Sequence, residues 1–442
     1  MARGKSIWNL TDKYLLSLFL SILFIGLLTI FSSTHEGGSV NIVDFSTTYG
    51  KQAIWVLISL FFGIFIMLLE GQFIKNSAYI FYIIVLALLI GVLFMPSIKG
   101  VRSWFQFGSI SIQPSEFAKL ACSLAVAKYL SSVNVKIQDI KTKVVVLLIL
   151  IVPCFLILMQ PDAGTMLVFF AFIFVMYREG LSGNVLLYGF FAVLIVVIAI
   201  FLKASESENL ILGIPVSGNM IFAFVLVLLG GILFAVIKLL VLPRYRKPRY
   251  IALIWSILIG IAINLSIDYV YDSVFKERHR NRFQIMFGIV EDRRGDGYNM
   301  WQALSAIGSG ETSGKGFLNG TLSNNKYRHV PEQSTDFIFC SFAEEWGFLG
   351  CLFFIILYLA MLIRIVMISE RQRSKFTRIF GYCTASILFF HFMINIGMVI
   401  GLAPVIGIPL PFFSKGGSAV LTFSALIFIF MRLDAERQKV LR

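Results

Sequence analysis

Charged residues are scarce in this chain. Asp, Glu, Lys and Arg make up 14% of its 442 residues, whereas hydrophobic residues make up 58%. A soluble protein needs a larger polar fraction to cover its core, so the composition predicts an all-α, polytopic integral membrane protein. The net charge of +14 does not indicate nucleic-acid binding, because the basic residues lie mainly in short connections between apolar runs.

Histidine and cysteine, which are common in metal sites and as nucleophiles, are also few, and they are scattered along the chain. The four histidines form no H-E-x-x-H pattern, and G-x-S-x-G is absent. The five cysteines lie in apolar runs without CxxC spacing, which indicates buried packing residues. The glycine-rich stretch 308–316 lacks the Walker A spacing, so we predict a flexible, closely packed loop and no nucleotide site.

Apolar runs, by contrast, fill most of the chain. A helix needs about 20 residues to cross a bilayer core of roughly 30 Å, and about twelve runs approach or exceed that length. We predict spans at 14–33, 52–70, 77–95, 114–131, 143–159, 164–178, 184–202, 219–241, 250–270, 337–363, 379–402 and 416–431. The first run has no cleavage pattern after it and is interpreted as a retained helix.

The distribution of basic residues predicts the topology. Lys and Arg concentrate in connections on one side, such as 242–249 and 371–378. The short connections on the other side carry only Lys51, Lys99, Arg102, Lys203 and Lys415. By the positive-inside rule, both termini are cytoplasmic, and an even number of spans keeps this pattern along the chain.

Four segments on the outer side are unusually polar or rich in Gly and Pro, namely 96–113, 160–165, 271–336 and 403–418. The segment 271–336 is the only long loop, and long loops translocate largely regardless of charge. The three prolines in 403–418 interrupt a helix, so this segment must be covered by protein or face a water-filled cavity.

Ionisable residues at or inside apolar runs are costly and are candidates for function. They are Glu116, Lys119, Lys128, Asp162, Lys238, Asp268, Asp336, Glu344 and Glu345. Glu116 and Lys119 share one helix face, where they form a local ion pair or face a substrate. Lys128 and Lys238 lie near cytoplasmic ends, from which their side chains reach the headgroups.

Asp336 directly precedes the apolar run 337–363. A carboxylate at a helix start is favoured by the helix dipole, which is one explanation for its position. The preceding loop, however, holds many cations: Arg278, Arg280, Arg282, Lys315, Lys326 and Arg328. A carboxylate beside these cations favours a base next to an anion-binding pocket.

Several short motifs occur together in a fixed order. They are Trp104 with 113–119, then 160–165, 308–316, 331–339, 344–347 and 395–418. With these motifs the chain resembles, over nearly its whole length, the SEDS family (shape, elongation, division and sporulation) of the RodA and FtsW type. The resemblance implies a peptidoglycan glycosyltransferase that polymerises lipid II at the outer face of the bacterial cytoplasmic membrane and releases undecaprenyl pyrophosphate. The short terminal tails favour the RodA-like type, which serves elongation and cell shape.

Two features depart from the family pattern. The family usually has ten spans, so we interpret an apolar pair within 205–270 as an insertion before the large loop 271–336 of a single membrane domain. Lys415 stands where the family more often has an aromatic residue, and it either adds a cation near the pyrophosphate or extends to the headgroups.

The resemblance also implies roles for residues. Asp336 matches the family aspartate and is assigned as the general base. Predicted substrate-binding residues are Trp104, Arg102, Glu116, Lys119, Asp162, Arg282 and Lys415, of which Arg102, Lys119 and Arg282 would stabilise pyrophosphate. The family further implies a divalent cation, Mg²⁺ or Mn²⁺, although no ligand cluster marks its site. It also implies a class B penicillin-binding protein and other cell-wall elongation proteins as partners.

Two other functions are compatible with many of these features. One is a flippase that moves lipid II across the membrane along a path of intramembrane charges. No inverted repeat is evident, however, and the polar residues cluster at one face. The other is a scaffold that binds wall-synthesis proteins without chemistry of its own.

Overall fold

The computed structural model describes residues 10–35, 47–97, 101–108, 110–205, 208–211, 214–275, 277–290, 297–322 and 333–437. Helices dominate these residues, and the only strands among them form two antiparallel two-stranded ribbons, β1 with β2 and β3 with β4. The predicted all-α membrane fold is confirmed. The predicted loop cations Lys326 and Arg328 and the motif residues 331–332 lie outside the described residues.

The elements follow each other along the chain with short connections. The first half contains α1 (Lys13–Thr34), α2 (Thr48–Leu68), α3 (Gly71–Val92), β1 (Phe105–Phe107), β2 (Ile110–Ile112), α4 (Pro114–Leu130), α5 (Ile140–Met159), α6 (Ala163–Leu167), a 3₁₀ turn (Val168–Ala171), α7 (Phe172–Arg178), α8 (Gly183–Ala204), β3 (Glu208–Ile211) and β4 (Ile214–Ser217). The second half contains α9 (Gly218–Leu240), α10 (Pro243–Tyr269), a π-helical turn (Val270–Val274), α11 (Glu277–Met286), α12 (Tyr298–Ser309), α13 (Ile338–Glu370), α14 (Lys375–Val399) and α15 (Gly417–Ala435).

The predicted spans are all helical. Ten helices among the described residues are long and apolar enough to cross a membrane. The two other predicted runs form shorter helical segments, Pro114–Leu130 and Ala163–Arg178. Some predicted boundaries were wrong. The basic segment 244–249, predicted as a connection, belongs to the first turns of α10. The segment 271–336, predicted as the large loop, contains the short helices α11 and α12.

The chain forms two compact units. The first contains Met1–Leu181 and Asn299–Arg442, and the second contains Ser182–Tyr298. The predicted helix pair of 205–270 corresponds to α9 and α10, which share the second unit with α8 and α11. That this pair is an insertion relative to the family stays a prediction.

Helix α15 lies in the core of the first unit, where it packs against α2, α4 and α14. Nearly all its side chains are buried, including the ionisable Arg432 and Asp434 at its C-terminal end. Small residues permit its close packing. A Cβ atom on Gly63 of α2 would lie 2.2 Å from the Phe428 ring, so the two helices approach each other closely at this position.

Candidate functional site

Asp336 lies where segments from distant parts of the first unit meet. Helix α13 begins at Ile338 with Phe337 at its N-cap position. Asp336 therefore lies just before the helix, whereas the sequence placed it at the helix start. Asp336 is partly exposed, whereas Phe337 and Ile338 are buried. Asp336 is therefore not the N-cap residue of α13, and a chemical role for its partly exposed carboxylate stays a prediction.

The proline-rich segment 403–416 holds the backbone around Asp336. Asn395 of α14 donates from Nδ2 to the Asp336 carbonyl at 2.8 Å and to the Ile408 carbonyl at 2.7 Å. A Cβ atom on Gly407 would lie 3.3 Å from Asp336 Oδ2, and Gly407 has a positive φ of 79°. A buried asparagine thus satisfies the carbonyl of Asp336 and one carbonyl of the irregular proline-rich segment, as expected where irregular backbone in a membrane protein is covered by protein.

Lys415 belongs to the same assembly. Its backbone N–H donates to the Ser334 carbonyl at 2.9 Å, which ties the segment before α15 to the turn before α13. Burial lowers the pKa of the half-buried Lys415 ammonium, and the positive charge of nearby Lys51 lowers this pKa further. An anion bound between Lys415 and Lys51 would offset the electrostatic repulsion between the two side chains.

Glu116 and Lys119 are buried in a polar network within the membrane helices. Lys119 Nζ lies 2.8 Å from Glu116 Oε2 and 2.8 Å from His391 Nε2, and it faces the Phe423 ring at 5.0 Å. All three polar side chains are at most 2% exposed. The structure favours the local ion pair over a substrate-facing pair at this position, so direct substrate contact by either residue stays a prediction.

His391 is the member of this network that sequence reasoning missed. Because an ammonium only donates hydrogen bonds, His391 Nε2 accepts from Lys119, and Nδ1–H then donates to the Pro409 carbonyl at 3.1 Å. The network therefore connects α4 through α14 to the proline-rich segment. An isolated histidine in an apolar run gave no signal in the sequence, because its partner Lys119 lies 272 residues away.

Asp162 holds the turn between α5 and α6. It caps α6 by accepting from the Thr165 backbone N–H at 3.1 Å and from Thr165 Oγ1 at 2.8 Å, and it accepts from Gln113 Nε2 at 2.9 Å. Gly164 packs against the Ile406 carbonyl. These contacts bring 113, 160–165 and 403–416 together, as the clustering of polar outer segments predicts. Asp162 is partly exposed, and its contact with substrate stays a prediction.

The glycine-rich stretch docks into a break in α13. Gly347 has φ 63° and ψ −165°, which interrupts the helix. Backbone N–H groups of Lys315 and Gly316 donate to the carbonyls of Glu344 and Glu345 at 3.0 and 2.9 Å. The stretch begins in the last turn of α12 and is closely packed, as predicted, and its backbone satisfies groups that the helix break releases. Its predicted flexibility stays a prediction.

Two buried carboxylates fasten this loop. Glu344 Oε1 accepts from Lys315 Nζ at 2.6 Å, from the Thr321 N–H at 2.8 Å and from the Leu322 N–H at 3.0 Å. Glu345 Oε1 accepts from Ser32 Oγ and from the Leu318 N–H. The sequence marked both glutamates only as ionisable residues in an apolar run, and their loop-holding role emerges from the structure.

The remaining predicted site residues have few described contacts. Arg102 is exposed and Trp104 is partly buried, directly before β1. Arg282 is partly buried on α11 in the second unit. Their substrate contacts stay predictions.

The divalent cation implied by the resemblance has no preformed ligand cluster among the described residues. Among them, no group of three or more His, Cys, Asp or Glu side chains is arranged to hold one. Magnesium sites often use one or two carboxylates together with substrate phosphates, a set that the protein alone does not complete. The divalent cation implied by the resemblance stays a prediction.

Comparison with known proteins decides the family. A model of cell cycle proteins of the FtsW, RodA and SpoVE type matches residues 13–214 and 214–439. The chain belongs to this family. The match spans nearly the whole chain and confirms the family resemblance predicted from the motifs.

Named relatives of this family member cover most of its length. Peptidoglycan glycosyltransferase MrdB of Escherichia coli K12 is 31% identical over 359 residues, which are 81% of this chain and 77% of MrdB. Peptidoglycan glycosyltransferase RodA of Treponema pallidum is 30% identical over 438 residues, with 96% and 98% covered. The probable peptidoglycan glycosyltransferase FtsW of Haemophilus influenzae is 28% identical, with 97% and 91% covered.

Solved structures support the fold of the family member. A chain from work described as structural coordination of polymerization and crosslinking by a peptidoglycan synthase complex aligns with a TM-score of 0.66 at 24% identity, covering 97% of this chain and 98% of that one. The crystal structure of the rod shape determining protein RodA of Thermus thermophilus aligns with a TM-score of 0.58 at 21% identity, covering 97% of each chain. At these identities the alignments support the membrane fold alone.

Proposed function

We propose that the protein is a peptidoglycan glycosyltransferase that polymerises lipid II into glycan strands, with Asp336 as the general base. The enzyme class is that of its relatives MrdB and RodA, whose names agree with the activity predicted from the motifs. The observation that carries the residue assignment is the position of Asp336. It is a partly exposed carboxylate whose backbone is held by Asn395 and whose Oδ2 lies beside Gly407.

The proposed reaction needs one base and several cations. Asp336 takes the proton of the acceptor sugar hydroxyl while that oxygen attacks the anomeric carbon of a second lipid II molecule. The bond from that carbon to the pyrophosphate oxygen breaks, and undecaprenyl pyrophosphate leaves with the bonding electrons. A pyrophosphate is a good leaving group, so no second carboxylic acid is required, in contrast to glycosidases.

The cations have separate proposed tasks. Lys415 is half-buried close to Lys51, and Arg102 is exposed, so these side chains are candidates to balance pyrophosphate charge. Lys119 is fully buried and bonded to Glu116 and His391, which favours a role in holding the site's framework. Arg282 and Trp104 are further candidates for substrate contact on the strength of the family motifs.

The cellular setting is part of the same proposal. The basic connections favour both termini in the cytoplasm and the site at the outer face of the bacterial cytoplasmic membrane. Elongation and shape are the proposed process, in line with the RodA relative. A structural neighbour comes from a complex that coordinates polymerization and crosslinking, which supports a class B penicillin-binding protein as partner beside other elongation proteins.

The test is strand formation from labelled lipid II by purified protein in detergent, where no flipping takes place. We expect Asp336→Asn to lower the rate by about 100-fold or more, because general-base catalysis contributes roughly 10² to 10⁴. The matched control is Asp139→Asn, at an exposed carboxylate outside the site. Polymerisation by a correctly folded Asp336→Asn protein at the wild-type rate would overturn the assignment. A wild-type protein that makes no strands would instead favour the flippase or scaffold.

A further inference from the structure

The second unit contains a polar cavity that the proposed reaction does not use. Its volume is about 710 Å³, within the range of roughly 300 to 1,000 Å³ that ligand pockets occupy. The cavity lies where α8 ends and α9 begins, and the end of α10, the π-helical turn and α11 complete its wall. Its charged lining residues are Lys203, Asp268, Asp272, Glu277 and Arg280.

Asn219 lies in this wall, and the oxygen of its buried side-chain amide accepts no hydrogen bond from the described residues. Asn219 is 1% exposed and donates from Nδ2 to Asp268 Oδ1 at 2.7 Å. A carboxylate accepts hydrogen bonds, so this contact fixes which end of the amide is which. Asn219 Oδ1 then has no hydrogen-bond partner among the described residues. A buried acceptor left in this state is unfavourable unless water or a ligand supplies a donor.

A second asparagine repeats the pattern one layer deeper. Asn264 of α10 is fully buried and donates from Nδ2 to the backbone carbonyl oxygen of Asn219 at 2.8 Å. Within the described part of the chain, its Oδ1 also lacks a partner. Asn264 lies behind the cavity wall, and Asn219 is the residue of this pair that lines the cavity. The unpartnered acceptor of Asn219 favours a ligand that donates a hydrogen bond.

Positively and negatively charged side chains both line the cavity. Lys203 Nζ lies 2.9 Å from Asp272 Oδ2 and 3.8 Å from Asp268 Oδ1. The π-helical turn is closed by a 2.9 Å bond from the Phe275 N–H to the Val270 carbonyl, and such turns are frequent at functional sites. It carries Asp272 on the cavity wall.

Arg280 is held in a different way. Its Nε and Nη2 atoms donate to the carbonyls of Phe275 and Asp272 at 3.2 and 3.3 Å. Neither of these two bonds uses a carboxylate, and the guanidinium keeps further N–H groups from which a ligand carboxylate would accept hydrogen bonds. Three carboxylates, two cations and the buried amide of Asn219 thus share one cavity.

We propose that this cavity binds a small zwitterion, an amino acid or the free ends of a short peptide. The ligand ammonium donates to the carboxylates of Asp268 and Asp272 and to Asn219 Oδ1, and the ligand carboxylate accepts from Arg280. A metal ion fits less well, because Lys203 lies among the carboxylates. A simple anion fits less well, because the buried groups are acceptors.

The test uses four forms of one dipeptide and the purified full-length protein in detergent. Ala-Ala carries both charges, Ala-Ala-NH₂ only the ammonium, Ac-Ala-Ala only the carboxylate, and Ac-Ala-Ala-NH₂ neither. Binding is followed by saturation-transfer NMR titration. We expect Ala-Ala to bind most tightly and the loss of the ammonium to weaken binding by at least about tenfold, because charge-assisted hydrogen bonds are the strong ones.

Two variants test which side chain binds the ligand ammonium and which binds the ligand carboxylate. Asp272→Asn should weaken binding of only the two ammonium-bearing forms, by about fivefold, since Asp272 is exposed and its interactions are screened by solvent. Arg280→Gln should weaken only the two carboxylate-bearing forms. Asp139→Asn in the first unit is the matched control and should change neither.

Several results would overturn the proposal. They are equal binding of all four forms, tighter binding of Ac-Ala-Ala than of Ala-Ala-NH₂, or no binding of any form. Each would leave ordered water as the donor to Asn219.

Discussion

Asn395 donates a 2.8 Å hydrogen bond from its side-chain amide to the backbone carbonyl of Asp336, although the two residues are 59 positions apart in the chain. The same amide nitrogen also holds the Ile408 carbonyl. One buried side chain thus fixes both the turn that carries the proposed base and the proline-rich segment beside it.

Replacing Asn395 should therefore misplace Asp336. Asn395→Leu keeps the side-chain size but leaves two carbonyls without a donor, at a cost of about 1–3 kcal/mol for each unsatisfied group. We expect kcat for strand formation to fall at least tenfold, and KM for lipid II to change less, because small misplacements of a catalytic group act on the chemical step. Steady-state kinetics of the purified variant measure both. Asn76→Leu, at an exposed position of α3, is the control, and equal kinetics of the two variants would contradict this role.

The glycines of the stretch 308–316 should differ sharply in their tolerance of alanine. A Cβ atom on Gly314 would lie 2.2 Å from the Glu345 carbonyl oxygen, and Gly314 has a φ of 78°. A Cβ atom on Gly308 would meet nothing within 4 Å. Gly314→Ala should lower the free energy of unfolding by about 1–3 kcal/mol or more, whereas Gly308→Ala should be neutral within about 0.5 kcal/mol.

Thermal unfolding in one detergent measures this difference. Similar melting temperatures for Gly314→Ala and Gly308→Ala would show that the stretch does not pack against the break in α13.

The lowered pKa of Lys415 predicts a shift in the alkaline limb of the activity profile. Burial and the Lys51 charge make Lys415 lose its proton at a lower pH than an ordinary lysine. If its charge balances pyrophosphate, activity declines as pH rises through this lowered pKa. Lys51→Gln removes one repelling charge, so the pKa of Lys415 rises and the decline should move to higher pH.

Initial rates between pH 7 and roughly pH 11 would follow this decline, because ordinary lysines titrate near 10.4. Lys415→Gln should lower the rate and remove the shift caused by Lys51→Gln. Lys141→Gln, at an exposed position of α5, should leave the profile unchanged. An unchanged profile in Lys51→Gln would contradict an electrostatic role for the pair.

Asp12 should contribute stability that is lost in acid. It caps α1 through the Leu15 N–H and pairs with Arg364 and Arg371. Burial alone would raise the pKa of its carboxyl, but the hydrogen bonds and charges of these partners outweigh burial and hold it below 3.8. A carboxyl with a depressed pKa stabilises the fold above its unfolded value, and this stability is lost as the pH falls through the folded value.

Asp12→Asn retains helix capping but removes the ion pairs. We expect it to lower the free energy of unfolding by about 1–3 kcal/mol at pH 7, and by progressively less as the pH falls below about 4. Denaturant titrations at several pH values measure the difference. An equal loss at pH 7 and in acid would show that the ion pairs are not its source.

The sequence by itself determined the class, the helices, the family and the position of the candidate base. Hydropathy is local along the chain, so the membrane helices follow from it to within a few residues, and Asp336 was identified by a motif in one continuous stretch. The ends of helices were less predictable. Basic residues such as Arg244 belong to the first turns of α10, because a helix can begin before its apolar run when its charged turns lie outside the membrane core.

Only the tertiary structure decided what the ionisable residues do. Lys119 became a framework residue because His391, 272 positions away, accepts its hydrogen bond and both residues are buried. Glu344 became the anchor of a loop because the break at Gly347 opens α13 to the glycine-rich stretch. A buried charge is stable only where partners satisfy it, and those partners come from elements that are distant in sequence and adjacent only after packing.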